Sequence, residues 1–321
     1  MLLAFPILWL VGAVAAYMYA LDRGISWATA VTVLPAFLLE VSFYYVLGTE
    51  SLRSKIEKLS RPGIAALLSV AGIIPYWLAA SALHVFSWTV LGSIVAMCLI
   101  ASFWYAILPQ RLAVDILFIV LMALPMLFRV FPKLYPSPVP KLPLAALGQL
   151  MWFRTGLFAM VSVRHAPGVG FGFWPKAREW KIGAVYFVAM LPIVAAISWY
   201  IDFAKPHLHY DDWLRSVFYA IGTFFGILWV VALGEEFFFR GLVQQWTTTW
   251  FKNDWLGLIV TSLLFGSVHL WFRAPFPNWR VAGLMSVGGF FYGLAFRQAK
   301  SIRASMVTHA LTVTTWRVFF S

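Results

Sequence analysis

Two adjacent carboxylates, Glu235 and Glu236, lie in an otherwise largely apolar run from Gly222 to Gly241, with Arg240 one helical turn further on. Histidines recur in later apolar runs at His269 and His309. Charge is expensive to hold inside a bilayer, so intramembrane acids and histidines mark working sites unless a partner neutralises them. Spaced i to i+4, Glu236 and Arg240 face one another along a helix, an ion pair that makes burial of both charges tolerable. Glu235 is rotated by about 100° from that pair and is left as a free carboxylate, suited to act as a general base on water. Imidazoles at His269 and His309 could orient that water, stabilise an oxyanion, or bind a metal.

The elements that must position these groups are helices in a membrane. A chain that is 62% hydrophobic and 11% charged has more apolar surface than a soluble core of ordinary size can hide. Measured against the roughly 20 residues a crossing helix needs, apolar stretches fall at about 2–21, 27–47, 63–83, 86–108, 112–132, 144–163, 182–204, 214–246, 255–272, 281–297 and 302–320. The expected fold is therefore an all-α, polytopic transmembrane helical bundle of about eleven spans. The stretch at 144–163 is the weakest, because Arg154 sits near its centre. The first stretch lacks a basic leader and is followed by further spans, so it reads as a span and not as a cleaved signal.

Charge and composition exclude other classes. The formal charge of +12 does not point to nucleic acid, because lysines and arginines lie mostly in short loops between apolar segments, where they anchor helices. Cys98, the one cysteine, rules out an intramolecular disulfide framework and a cysteine metal cluster. The 17 tryptophans and 12 tyrosines mostly mark interfacial belts. Basic residues cluster at Arg53 to Arg61, Arg164 to Lys181 and Arg297 to Arg303, and eleven spans put these loops on one side. The positive-inside rule then places the N-terminus inside and the C-terminus outside.

The proline-rich stretch from Phe131 to Pro143 is the expected boundary. It yields an N-terminal membrane module of about five helices over 1–135, a proline- and glycine-rich connection with one span over 136–181, and a core over 182–321. Glu40 and Asp115 in the front module read as packing partners for Arg129 or Arg154. His207, His209, Asp211 and Asp212 resemble a ligand cluster but fall in a polar loop, and His84 and His165 sit at segment ends.

Depth links the chemical residues. Glu235 lies roughly 11 residues, about 17 Å, from the inner end of its helix, His269 about 21 Å from Trp255, and His309 about 10 Å from Ile302. All three fall in one band straddling the midplane.

These residues resemble the CPBP family, the CAAX-type prenyl endopeptidases and bacteriocin-processing proteins, also described as glutamate-type intramembrane proteases. The Glu-Glu-x-x-x-Arg motif reads Glu235-Glu236-Phe237-Phe238-Phe239-Arg240, and the Phe-x-x-x-His motif reads Phe265-Gly266-Ser267-Val268-His269. The last motif centres on His309, and Gly288, Gly289 and Gly293 have the small-residue spacing of close helix contact. The resemblance covers roughly 180–320 and implies a protease core in which Glu235 activates water for peptide hydrolysis, helped by His269 and His309. Glu236, Arg240 and Phe265 then support the site.

Two departures stand out. Many members carry Asn or Asp four residues after the last histidine, where this chain has Val313, and the prenyl-protease branch often has another histidine where this chain has Phe272. A prenylated substrate is accordingly not expected. No cofactor is required by this reading, although Glu235, His269 and His309 would also suit zinc. The expected partners are a peptide or protein substrate and the lipid bilayer, with no nucleic acid, in a bacterial cytoplasmic membrane. Two rivals remain open: a non-catalytic binding or immunity-type protein of the same fold, favoured by Val313, and a transporter using Glu40 and Asp115, which would require inverted repeats that the sequence lacks.

Overall fold

A computed structural model describes residues 4–207, 212–272 and 275–320. Among them every extended element is a helix, and the chain forms two compact units, Met1–Ala166 and Pro167–Ser321. Each of the expected apolar stretches is helical over most of its described residues. Seven helices are long and apolar enough to cross a membrane: α1 (Phe5–Arg23), α2 (Trp27–Gly48), α4 (Arg61–Ala82), α5 (Trp88–Ile107), α8 (Leu144–Val163), α9 (Ala177–Tyr200) and α10 (Trp213–Phe251). The other stretches form α6 (Leu112–Leu127) and α11 (Asp254–Ser267), which are apolar but short, and α12 (Trp279–Ala299) and α13 (Ile302–Phe319). Short helices α3 (Glu50–Ile56) and α7 (Phe131–Leu134) complete the first unit. The protein is an integral membrane protein.

In the first unit buried charge is paired. Arg154 on α8 is fully buried and donates from Nε and Nη2 to the Glu40 carboxylate on α2 at 2.6 and 3.0 Å. Its Nη2 also reaches the Ala71 carbonyl of α4 at 3.0 Å, so one guanidinium ties three helices together. That pairing is why a helix with an arginine near its centre can be buried here. Asp115 takes Arg164, at 3.1 Å, and not the expected Arg129 or Arg154. The units meet in sequence at 166/167, later than the expected boundary at the proline-rich stretch, because α8 packs on α2, α4, α5 and α7 of the first unit.

The second unit is built on α9 to α13. Its opening loop pins the start of α13: Ser301 Oγ donates to the Gly170 carbonyl at 2.9 Å, and Ile302 N donates to the Val169 carbonyl at 3.0 Å. Gly170 has φ +62°, and a Cβ there would lie 2.6 Å from Ser301 Cα, so glycine is required twice over. Arg303 at the base of α13 pairs with Glu179 of α9 at 2.8 Å, and Thr308 donates to the Gly183 carbonyl of α9 at 3.0 Å. These contacts set the height and rotation of α13, and with them those of His309.

Helix α10 is interrupted twice by π-helical turns, Ile227–Ala232 and Phe237–Val243, which flank Leu233–Glu236. Wider turns of this kind occur frequently at functional sites, because they re-aim side chains without ending the helix.

Candidate active site

The π turns bracket the paired carboxylates, and the two acids point to different surroundings. Glu236 is fully buried; its Oε1 accepts from Arg240 Nη1 at 3.1 Å and from His309 Nδ1 at 2.8 Å. Its other oxygen, Oε2, is buried with no partner among the described residues. Arg240 is held in turn by the Gly289 carbonyl at 2.7 Å and by aromatic faces, with its guanidinium carbon 4.7 Å from the Phe265 ring centroid and 5.3 Å from that of Tyr292. A Cβ on Gly289 would come within 3.0 Å of Phe265 and 3.3 Å of Arg240, so the helix α12 approaches α10 closely because this residue lacks one.

Glu235 keeps 36% of its side chain exposed. Its Oε2 lies 3.9 Å from His309 Nε2. His309 thus stands between the two acids, bonded to Glu236 through one ring nitrogen and turned toward Glu235 with the other. Its ring is stacked on Tyr292 at 4.6 Å with 12° between planes, which fixes the plane as well as the position. With Nδ1 donating to a carboxylate held by Arg240, the proton of a neutral His309 sits on Nδ1, and Nε2 carries the lone pair.

His269 is placed differently from the sequence expectation. Helix α11 ends at Ser267, and His269 lies in the turn beyond it. Its Nδ1 bonds the Phe265 carbonyl at 2.8 Å, one of the carbonyls that the end of a helix leaves without an amide partner. A carbonyl can only accept, so Nδ1 carries the proton here as well and Nε2 is the free nitrogen. Phe265 therefore serves twice: its carbonyl orients His269, while its ring packs on Arg240, on Tyr292 at 5.9 Å and on His309 at 6.0 Å.

Glu235, His269 and His309 all line one cavity of about 480 Å³, together with Phe265, Tyr292 and Val313. Most of its remaining wall is apolar. Among the described residues no group of three or more His, Cys, Asp and Glu side chains is arranged to hold a metal ion, so the zinc set of Glu235, His269 and His309 is not assembled as one. His209 and Asp211 of the loop cluster lie outside the described residues, and Asp212 caps α10 by accepting from Leu214 N at 2.8 Å.

Sequence reading assigned Glu236 to Arg240 alone. It missed the Glu236–His309 bond and the Tyr292 stack, for which no spacing gives a signal. Phe272, at the position of the extra family histidine, packs against Trp316 at 6.0 Å and Phe203 at 6.4 Å. Val313 places a branched hydrocarbon on the cavity wall one turn beyond His309.

Comparison with curated proteins gives no match, and comparison with solved structures gives none. Residues 217–315 match the family model described as type II CAAX prenyl endopeptidase Rce1-like. That segment runs from within α10 to within α13 and contains Glu235, Glu236, Arg240, Phe265, His269 and His309. The motif resemblance is borne out over these residues, which are similar to the CPBP, or CAAX-protease, family.

Proposed function

We propose that the protein is an intramembrane endopeptidase of the glutamate type, hydrolysing a peptide bond of a membrane-associated or sorted protein by direct attack of water. The observation that carries this reading is the juxtaposition of a half-buried carboxylate, Glu235, with an imidazole nitrogen of His309, 3.9 Å away, on the wall of an otherwise largely apolar cavity that His269 also lines. A water between Glu235 Oε2 and His309 Nε2 can donate one hydrogen to each and present its oxygen lone pair to a carbonyl carbon.

In the first step the water oxygen bonds to the carbonyl carbon, its proton passes to Glu235, and the carbonyl π electrons move to oxygen. In the second step the oxyanion re-forms the C=O bond, the C–N bond breaks, and Glu235 returns the proton to the departing nitrogen. The products are a carboxylic acid and an amine, with Glu235 regenerated. Glu236 and Arg240 act as positioning residues: they hold His309 in one tautomer and one orientation, as a buried acid does for a catalytic histidine elsewhere. No step requires a metal. The family resemblance suggests a bacterial cytoplasmic membrane, and the distribution of basic loops favours an N-terminus inside and a C-terminus outside.

The test is to compare purified wild type and Glu235→Gln on a quenched peptide library containing CAAX-like and juxtamembrane sequences, with and without a chelator. Cleavage that the substitution abolishes and the chelator spares supports the glutamate mechanism. Loss with chelator assigns the step to a metal. Equal background from two folded proteins favours the non-catalytic reading, for which Val313 on the cavity wall is the structural argument.

A further inference from the structure

The proposed hydrolysis creates a negative charge that none of its named residues serves. When water adds, the carbonyl oxygen becomes an oxyanion, and a hydrogen-bond donor aimed at the place where that charge develops lowers the barrier. Both neutral histidines have spent their donors within the protein: Nδ1 of His309 bonds Glu236 and Nδ1 of His269 bonds the Phe265 carbonyl, which leaves each Nε2 with a lone pair. Val313, on the turn of α13 where many members of the family carry Asn or Asp, offers hydrocarbon. A donor has to come from another element of the cavity wall.

Tyr292 of α12 meets that need. It is 4% exposed yet lines the cavity, and its ring is stacked on that of His309 at 4.6 Å. Among the described residues that bring a hydroxyl to this wall, Ser198, Tyr292, Thr312 and Thr315, it is the one stacked on a site histidine. Side chains on a helix lean toward its N-terminus, so the phenol reaches back over Gly288, one turn earlier, where its oxygen would lie 3.5 Å from a Cβ. Gly288 also lines the cavity, and because it has no side chain the hydroxyl end of the ring is left open on that side. On the facing helix the hydroxyl meets that of Thr312, which lies three residues, about 4.5 Å, beyond His309 along α13 and next to Val313. Thr312 gives its own hydrogen to the Thr308 carbonyl at 2.7 Å, so of the two hydroxyls it is the tyrosine that has a hydrogen to donate.

We propose that the Tyr292 hydroxyl is the oxyanion donor of this site, so that α12 supplies the group that Val313 on α13 does not. At rest the phenolic hydrogen has the neutral oxygen of Thr312 as its acceptor. Once water has bonded to the carbonyl carbon, that hydrogen turns to the oxyanion, a charged acceptor that makes a shorter and stronger bond. Because the bond strengthens only as charge develops, it lowers the barrier without tightening the ground state. The proton stays on the tyrosine throughout, and the oxyanion electron pair re-forms the C=O bond as the C–N bond breaks, so the step needs no further reactant. This rests on the hydrolytic reading of the site and adds to it a residue that touches the reacting oxygen.

The experiment compares full-length wild type and Tyr292→Phe in detergent, on a quenched peptide from the library above and on a peptidyl phosphonate of the same sequence, whose tetrahedral anion mimics the oxyanion. Phenylalanine keeps the ring and its stack on His309 and removes only the hydroxyl. We expect kcat to fall by about 10² or more, with KM and melting temperature held. Affinity for the phosphonate should weaken by about tenfold or more. The ratio of the two kcat values should be the same at every pH, since a donor that keeps its proton leaves the limbs of the profile to other groups. A substitution that moves the alkaline limb would make Tyr292 a proton-transfer group and overturn the proposal. So would a kcat within about twofold of wild type, or equal weakening of phosphonate and peptide. If no peptide is cleaved, the hydrolytic reading fails by itself, and phosphonate and peptide are then titrated against both proteins by tryptophan fluorescence. Tighter phosphonate binding by wild type than by Tyr292→Phe, with the peptide bound alike, sustains the donor; equal phosphonate binding, or none, rejects it.

Discussion

His309 Nδ1 lies 2.8 Å from Glu236 Oε1, a bond between residues 73 apart in sequence that converts a helix-internal ion pair into a support for the imidazole next to Glu235. The same oxygen is shared with Arg240. Glu236→Gln keeps the shape but can present its amide N–H₂ or its carbonyl to His309, so the tautomer is no longer dictated. We expect kcat to fall by about 10² or more with KM little changed, by analogy with the loss when an orienting acid is made neutral. Steady-state kinetics beside a thermal melt check this; kcat within twofold of wild type in a folded protein would remove Glu236 from the mechanism.

Glu235 should behave in the opposite way on stability. Its side chain opens onto the cavity and its Oε2 lies 3.9 Å from His309 Nε2, beyond hydrogen-bond distance, so Glu235→Gln removes little that holds the fold. The melting transition is expected to move by no more than a surface substitution would allow, about 0.5 kcal/mol, while cleavage is lost. A large drop in stability would identify Glu235 as structural.

The close approach at Gly289 gives a sharper structural test. Gly289→Ala would push a methyl group to 3.0 Å from Phe265 and 3.3 Å from Arg240, and would displace the carbonyl that holds Arg240. Overpacking of this kind costs about 1–3 kcal/mol. Both the melting temperature and the rate should fall, and a variant as stable and active as wild type would mean that α12 and α10 do not meet as closely as described.

In the first unit, Arg154 and Glu40 are buried and paired with each other. Arg154→Met leaves Glu40 as a charge without its partner, which should destabilise the unit by about 3–5 kcal/mol, whereas the double change Glu40→Leu with Arg154→Met should cost far less. Denaturation of the four proteins of this cycle measures the coupling. Additive effects would show that the pair contributes nothing beyond its two residues.

Val313 lies on the cavity wall one turn beyond His309. Val313→Asn would put an amide donor there, and a single well-placed donor to an oxyanion is worth about 10²–10³ in rate elsewhere. We expect kcat to rise by about tenfold, short of that full value because the surrounding wall is shaped for hydrocarbon. An unchanged or lower rate would show that position 313 does not face the reacting carbonyl.

Relations local to one helix were legible in the chain. Glu236 and Arg240 meet because i to i+4 is a contact within any helix, and Glu235 is excluded from it by the same geometry. Apolar runs long enough to span a bilayer had to become helices, since lipid offers the backbone no partners, and the expected stretches did so. Three residues expected in one band line one cavity. Helix ends were less legible. The stretch to 272 ends at Ser267 because the His269 side chain, and not its amide, takes the Phe265 carbonyl. That choice depends on what the ring faces across the cavity.

Pairings between distant helices were legible in part. The front-module acids were expected to take Arg129 or Arg154; Glu40 does take Arg154, whereas Asp115 takes Arg164. By itself the sequence determined the helical membrane architecture, the ion pair within α10, the residue types of the site and the family resemblance, because periodicity, hydropathy and motif order are properties of the chain. Only the tertiary structure decided that His309 binds Glu236 while facing Glu235 and that Tyr292 holds its plane. Each depends on how α10, α12 and α13 pack against one another, and the rotation of one packed helix against another is set by all of its contacts together and not by the spacing along any one of them.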